Sequence, residues 1–289
     1  MNVNPYVFYF IVLICIICII IFNPYKVPKQ NNIWMYWENK SNNHKPDYLK
    51  LCYETIVKHC SKDATIFLLN EYTVHYYLPF MRKDIMKLSS IPHKTDYIRL
   101  QLLYHYGGIW LDSDTIVFKS FKPYFQLLKK YDYVGFGCNS EECKVNGIGY
   151  NKPSNWAMGA RKHSILMKRC IQGADVILDK PNQLKNNYHL MGRELLWKEI
   201  NYLLKNNSAW RYYHVNSICV QLNEHGKKIN NNLLIKNGII DDACLHKRVF
   251  LPFYNTAPGF PPWFVKMNKQ EILQSNTLFG KYVNYSLTT

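Results

Sequence analysis

No run of lysine or arginine occurs in the sequence, although its formal charge is +16. The basic residues are scattered as singles and as pairs such as Lys129-Lys130 and Lys227-Lys228, without zinc-finger spacing. A protein that tracks a phosphate backbone clusters its cations, so no nucleic-acid partner is expected. A scattered basic surface suits anionic headgroups or an anionic small ligand instead. Outside the N-terminal apolar run there is no Cys-x-x-Cys. Of nine cysteines, Cys15 and Cys18 lie in that run, and the odd remainder without repeated spacing argues against a disulfide framework and against zinc. Cys138 and Cys143 flank a short polar loop, where they either pair or remain free thiols. There is no internal repeat, and low complexity is confined to Asn230–Asn232. Nor does a pair of carboxylates stand out as the acid and base of a hydrolase.

What is present fills a core: 48% of the 289 residues are hydrophobic, enough for one domain of ordinary size. Aromatics reach 15%, a composition that suits stacking on rings or sugars. Tyr6 to Phe22 is an apolar run without a charge, at the lower edge of a bilayer-spanning helix. It has neither the basic start nor the small-residue cleavage site of a signal peptide. The expectation is therefore a single-pass membrane protein, with an anchor over 1–23, a stalk over 24–30 and one domain over 31–289. Lys26 and Lys29 follow the run, which by the positive-inside rule places the domain on the cytoplasmic side. Sequons at Asn39, Asn206 and Asn284 argue for the lumenal side.

The chain is organised around residues 93–121. Ile98, Leu102 and Leu103 recur at helical spacing, and Gly107-Gly108 stops the helix. Ile109-Trp110-Leu111 reads as a short buried strand, and Asp112-Ser113-Asp114 follows at its C-terminal end, where open α/β sheets hold their ligands. Two carboxylates one residue apart form a hard, all-oxygen pair that suits Mg²⁺ or Mn²⁺. Asp-x-Asp alone is also a common turn sequence, but directly after an apolar strand two uncompensated charges would be costly. Asp96 and Arg99, three apart, project from one helix face. Alone they would pass for a surface ion pair, yet their helix runs straight into the Asp-x-Asp strand.

The string from His93 to Asp114, with Asp-x-x-Arg, Tyr-Gly-Gly, an apolar triplet and Asp-x-Asp in succession, resembles the capsular polysaccharide synthesis proteins. It also resembles the related glycosyltransferases with a DXD-containing sugar-binding region, including Golgi mannosyltransferases, and more distantly the glucosyltransferase domains of clostridial toxins. Ile33–Glu38 is similar to the family's opening strand; Asn155-Trp156 and Tyr254–Pro261 fit more loosely. The resemblance implies a GT-A-like, Rossmann-type α/β fold. It also implies metal-dependent transfer of a hexose from a UDP- or GDP-sugar to a glycan, lipid-linked or polysaccharide acceptor, with retention. On that pattern Asp112 and Asp114 are catalytic and hold Mn²⁺ or Mg²⁺, and Asp96, Arg99 and Asp112 bind the donor. Trp37 stacks on the nucleobase or packs in the core; Trp34, on the opposite side of the strand, is core. Asn155 and Trp156 line the acceptor side or pack. Trp263 caps a lid over Pro258–Pro262 or an ordinary proline-stiffened loop. His246 is a conceivable further metal ligand, though a structural role fits each histidine as well.

Alternating elements support that fold: a strand at Asn32–Trp37, a helix at Asp47–Cys60, a strand at Ala64–Leu69, then the helix into Ile109. Further elements are expected as a helix over Pro123–Lys130 and strands over Tyr131–Gly137 and Ser154–Gly159. Helices over His163–Leu178 and Gly192–Lys205 and strands over Tyr212–Val220 and Leu245–Phe253 follow. The result is a mainly parallel sheet with helices on both faces. Residues 31–160 form the nucleotide-sugar core and 161–289 an acceptor-side elaboration. Two other classes fit part of the pattern. Asp112-Ser-Asp-Thr115 also opens the motif of haloacid-dehalogenase-type phosphatases, with Asp241-Asp242 mimicking their late acidic pair, but that fold begins with its nucleophile strand. A non-catalytic, membrane-tethered carbohydrate-binding protein would not need Asp96, Arg99, Asp112 and Asp114 together.

Overall fold

The structure is a computed structural model, which describes Tyr9, Pro28 and residues 31–38, 45–138, 152–216, 221–223, 228–229, 234–240, 245, 249–253 and 260–289. Its centre is a six-stranded sheet in the order β2-β1-β3-β6-β5-β7. The strands are β1 (Asn32–Tyr36), β2 (Thr65–Leu69), β3 (Gly108–Leu111), β5 (Tyr133–Cys138), β6 (Lys152–Ala160) and β7 (Tyr212–Asn216). β1 pairs in parallel with β2 and β3, and β5 with β7, whereas β6 is antiparallel to both β3 and β5. Five strands thus run one way and β6 alone runs back, so the sheet is mainly parallel. It continues past residue 160, since β7 forms its far edge.

Strand alternation divides the core between the two faces. Trp34, Tyr36, Trp110 and Tyr133 pack on one face against α2 (Val74–Tyr77), α3 (Ile91–Tyr106), α5 (Ile165–Leu178) and α6 (Leu195–Asn206). Ile33, Met35, Ile109, Leu111 and Phe136 pack on the other against α1 (Asp47–Cys60) and α4 (Lys122–Leu127). Trp34 is fully buried, stacked on Phe67 at 4.2 Å, and its indole N–H donates to the Gly107 carbonyl at 2.9 Å.

The α3–β3 junction is made by two glycines with positive φ: Gly107 at 68° ends the helix and Gly108 at 105° opens the strand. A Cβ on residue 108 would sit 2.4 Å from the Asn32 carbonyl oxygen. Only glycine lets β3 lie this close to β1 in that conformation.

Beyond Asp114, β4 (Thr115–Val117) leaves the sheet and pairs with β11 (Phe250–Pro252), and Phe253 N–H donates to the Asp114 carbonyl at 2.9 Å. Short strands β8 (Gln221–Asn223), β9 (Lys228–Ile229) and β10 (Gly238–Ile239) make a separate antiparallel sheet. Among the described residues, the expected strand over 212–220 is seen to Asn216 and that over 245–253 at 250–252. The C-terminal helices α7 (Pro262–Lys266), α8 (Lys269–Gln274) and α9 (Leu278–Thr288) form a second core on α1, with Tyr48, Leu49 and Cys52 against Phe264, Ile272 and Phe279. Ser286 fastens that cap to the sheet region by donating to the Val117 carbonyl at 2.5 Å.

The expectation of a single-pass membrane protein with a cytoplasmic-facing domain is corrected. Among the described residues no helix is long and apolar enough to cross a membrane. The Tyr6–Phe22 run stands at the lower edge of the roughly 17–25 residues of a spanning helix. Apart from Tyr9 it lies outside the described residues, as do the stalk except Pro28, Asn39, Cys143, Asn230–Asn232, Asp241-Asp242, His246 and Tyr254–Gly259.

Candidate functional site

The site lies at the carboxyl edge of β3. Trp110 and Asp112, two residues apart, share a face, and the Trp110 indole N–H donates to Asp112 Oδ1 at 2.8 Å. The Asp112 N–H is itself held by the Trp156 carbonyl at 2.9 Å. Thr115 Oγ1 donates to the Asp112 carbonyl at 2.7 Å, and Ser113 Oγ to the Tyr36 carbonyl at 2.8 Å. These bonds tie the Asp-Ser-Asp turn to itself and to the end of β1.

Arg99 comes to the same point from α3. Its Nη2 lies 3.3 Å from Asp112 Oδ1 and 3.4 Å from Asp96 Oδ1. Its Nε donates to the Thr95 carbonyl at 3.1 Å, its Nη2 to Thr95 Oγ1 at 3.2 Å, and its Nη1 to the Asn155 carbonyl. The guanidinium lies 4.9 Å from the Trp110 ring centroid, within cation–π range. The Asn155 amide donates to Asp96 Oδ1 at 2.8 Å. Thus Asp96, Arg99, Asp112 and Asn155 form one network from three elements.

Burial governs its electrostatics. Asp96 and Arg99 are 5% and 4% exposed. Removal from water pushes the Asp96 carboxyl up to about 6; Arg99 and the Asn155 amide pull it down, and the Asp112 charge adds to the rise. Asp112 is also raised by burial, against the opposing pull of Arg99 and the Trp110 N–H. Asp114, half-buried, makes its charge felt at the Cys52 thiol of α1, which burial already pushes up.

The remaining expected site residues are dispersed. Trp37 is half-buried just past β1 and packs against the second core. Trp156 is 8% exposed with its ring edge on Phe250, inside the core of the opposite face. Trp263 lies 53% exposed on α7, with its ring edge on Phe264.

Three contributors were not legible in the sequence. Gly192 interrupts a π-type turn, Leu190–Glu194, before α6; a Cβ there would meet Asn155 Nδ2 at 2.5 Å and Asp96 Oδ2 at 2.8 Å. It closes a small cavity of about 10 Å³, the size of one water, that Asp96, Arg99, Asn155 and Cys170 also line. Lys94, 6% exposed, contacts both Glu38 oxygens at 2.8 and 3.0 Å beside β1. Trp110 was the one with a signal: its i,i+2 relation to Asp112 on a strand.

For a metal, the donor set is narrow. Among the described residues no group of three or more His, Cys, Asp or Glu side chains could hold an ion. Asp112 and Asp114 therefore offer two carboxylates at most, and Asp112 Oδ1 is taken by Trp110 and Arg99. Two hard oxygens with the other positions left to water and phosphate fit Mg²⁺ or Mn²⁺, and would not fit zinc.

Paired carboxylates at the carboxyl edge of a central strand stand where open α/β sheets bind their ligands. The chain belongs to the capsular polysaccharide synthesis protein family, whose pattern it matches over residues 16–253. It is 25% identical over 156 residues to the O-glycosyltransferase PaGT of Phomopsis amygdali, an alignment covering 48% of this chain. The chain spans 37% of the length of that curated relative. Among solved structures it is similar to the PaToxG glycosyltransferase (16% identical, TM-score 0.41), over 63% of this chain and 72% of that one. It is also similar to a glycosyltransferase involved in glycosylation of the major capsid of PBCV-1 (10% identical, TM-score 0.43), over 90% and 100% of the two chains. The proteins it resembles are thus glycosyltransferases.

Proposed function

We propose that this protein transfers a hexose from a UDP- or GDP-sugar to a glycan, lipid-linked or polysaccharide acceptor, with retention. The observation that carries this reading is the Asp96–Arg99–Asp112 network at the carboxyl edge of β3. Asp112 and Asp114 would hold Mn²⁺ or Mg²⁺, which when bound offsets charge on the departing diphosphate. Asp96 is held by the Asn155 amide and accepts hydrogen bonds from donor hydroxyls. Arg99 fixes the orientation of both Asp96 and Asp112 and is too thoroughly bonded to swing away. Trp37, just past β1, would stack on the nucleobase. Residues 31–160 would serve the donor and 161–289 the acceptor, with Asn155 at the boundary.

The test is release of nucleoside diphosphate by the full chain from a panel of UDP- and GDP-sugars with Mn²⁺, run beside p-nitrophenyl phosphate hydrolysis. Turnover of one donor, lost in Asp112→Ala, is the expected result. Phosphatase activity without donor turnover would instead make Asp112 the nucleophile of a phosphatase.

A further inference from the structure

β6 runs antiparallel to its neighbours, so its first residues lie at the sheet edge where β3, β5 and β7 end. That places Lys152 and Pro153 beside the Asp112 network, two to three residues, or roughly 7–10 Å of strand, from Asn155. There the Trp197 indole N–H, projecting from α6, donates to the Pro153 carbonyl at 2.6 Å, which fixes its ring. Lys152 Nζ lies 4.5 Å from that ring centroid and the Arg193 guanidinium 5.5 Å from it. Both cations are exposed, and neither has a carboxylate partner among the described residues. The acid next to Arg193, Glu194, is engaged by the Asn187 amide at 2.8 Å. On the adjoining ends of β5 and β7, His214 Nε2 and Asn216 Oδ1 are buried without a hydrogen-bond partner among the described residues. Gly192 packs against Asp96 while its neighbour Arg193 reaches Trp197, so one turn joins the two places.

Two cations braced by a fixed aromatic ring, without a carboxylate partner among the described residues, form an anion-selective surface. We propose that Lys152, Arg193 and Trp197 form the acceptor subsite and select a saccharide that carries a negative charge, as a carboxylate or a phosphate. This inference rests on the glycosyltransferase reading. Its basis differs from the donor site's: the donor end of the sheet edge sets two carboxylates against one guanidinium, while this end presents positive charge with no carboxylate opposite it among the described residues.

The test is titration calorimetry on the full chain with trigalacturonate, glucose 6-phosphate and maltotriose at low salt. At least one anionic probe should bind about tenfold or more tightly than maltotriose, with an affinity that falls as salt is added. Preference for trigalacturonate or for the phosphate would identify the anionic group. Arg193→Ala and Lys152→Ala should each weaken that binding several-fold, and together abolish the preference, with thermal unfolding showing that both variants fold. The remote pair Lys129→Ala/Lys130→Ala should leave it intact. Equal binding of charged and neutral probes, binding of none, or survival of the preference in the Lys152/Arg193 double variant would overturn the proposal. Donor turnover by the wild-type chain is read separately: its absence beside selective anion binding would count against the transferase reading alone.

Discussion

At the β3 end of the sheet edge, Arg99 meets Asp96, Asp112, Thr95 and Asn155 at once, whereas at the β6 end Arg193 and Lys152 meet the face of Trp197 and no carboxylate among the described residues. The first arrangement centres on the buried Asp96 and Arg99, which are bonded to their neighbours; the second is exposed, and its cations face no carboxylate among the described residues. A buried ion pair contributes little net stability but is costly to break, because the surviving charge has no water. An exposed cation costs almost nothing to remove. The same sheet edge thus holds one place where substitution should damage the fold or the chemistry, and one where it should change only what binds.

The sharpest break of that contrast is Asp112→Ala. It removes a carboxylate with one oxygen committed to Trp110 and Arg99, while Asp96 still compensates Arg99. Donor turnover should fall by about 10³-fold or more, equivalent to about 4 kcal/mol, with the fold retained in thermal unfolding. Full activity would remove the metal assignment. Arg99→Met tests the stability side. It leaves Asp96 buried beside Asp112 without a cation and should cost about 3–5 kcal/mol in urea unfolding. Adding Asp96→Asn should recover part of that loss, since no second charge then stays buried. A double variant as unstable as the sum of its parts would show that the two side chains do not act as a pair.

At the other end, His214 supplies a pH test. Burial holds its imidazole down to about 4, so it is neutral in the folded protein near pH 6. Unfolded, it would protonate from about 6.5. Its contribution is therefore complete above pH 6.5 and is lost as pH falls towards 4, on the order of 2 kcal/mol. Urea unfolding across pH 7 to 4 should show that loss in the wild type and a shallower one in His214→Gln. Parallel curves would mean that the imidazole is not held neutral by the fold.

How far the sequence foretold this site follows from distance along the chain. Asp96, Arg99 and Asp112 fall in one helix-turn-strand, where the 3.6-residue apolar repeat, the Gly107-Gly108 stop and the strand period fix which side chains meet. The helix itself begins at Ile91 with Ser90 as its cap, two residues ahead of the expected stretch. Asn155 was open in the sequence between the acceptor side and packing; its amide is bonded to Asp96 and its carbonyl to Arg99, 59 and 56 residues away. No local pattern announces such a contact. The aromatics were open between two roles in the sequence: Trp156 takes the packing one, in the core beside Phe250, and Trp263 is exposed on α7, because residue type alone does not tell which face a side chain takes. The sheet's one reversed strand, β6, was also invisible to periodicity, yet it is what brings Lys152 and Asn155 to the Asp112 edge.

Gly192 lies where the two ends meet, so its substitution has the smallest effect and the most to say. A methyl group at 192 would lie 2.5 Å from Asn155 Nδ2 and 2.8 Å from Asp96 Oδ2, both side-chain ends that can yield by a small movement. Gly192→Ala should therefore cost only about 1–2 kcal/mol of stability, the range for mild overpacking. The yielding atoms belong to the donor network, so the Michaelis constant for the donor should rise. The backbone turn that carries Arg193 would shift with them, so anion binding at Trp197 should weaken in the same variant. If only donor kinetics changed, the turn would be a wall of the donor pocket and nothing more. If both changed together while Arg193→Ala altered anion binding alone, Leu190–Glu194 would be the element that sets the spacing between the two subsites.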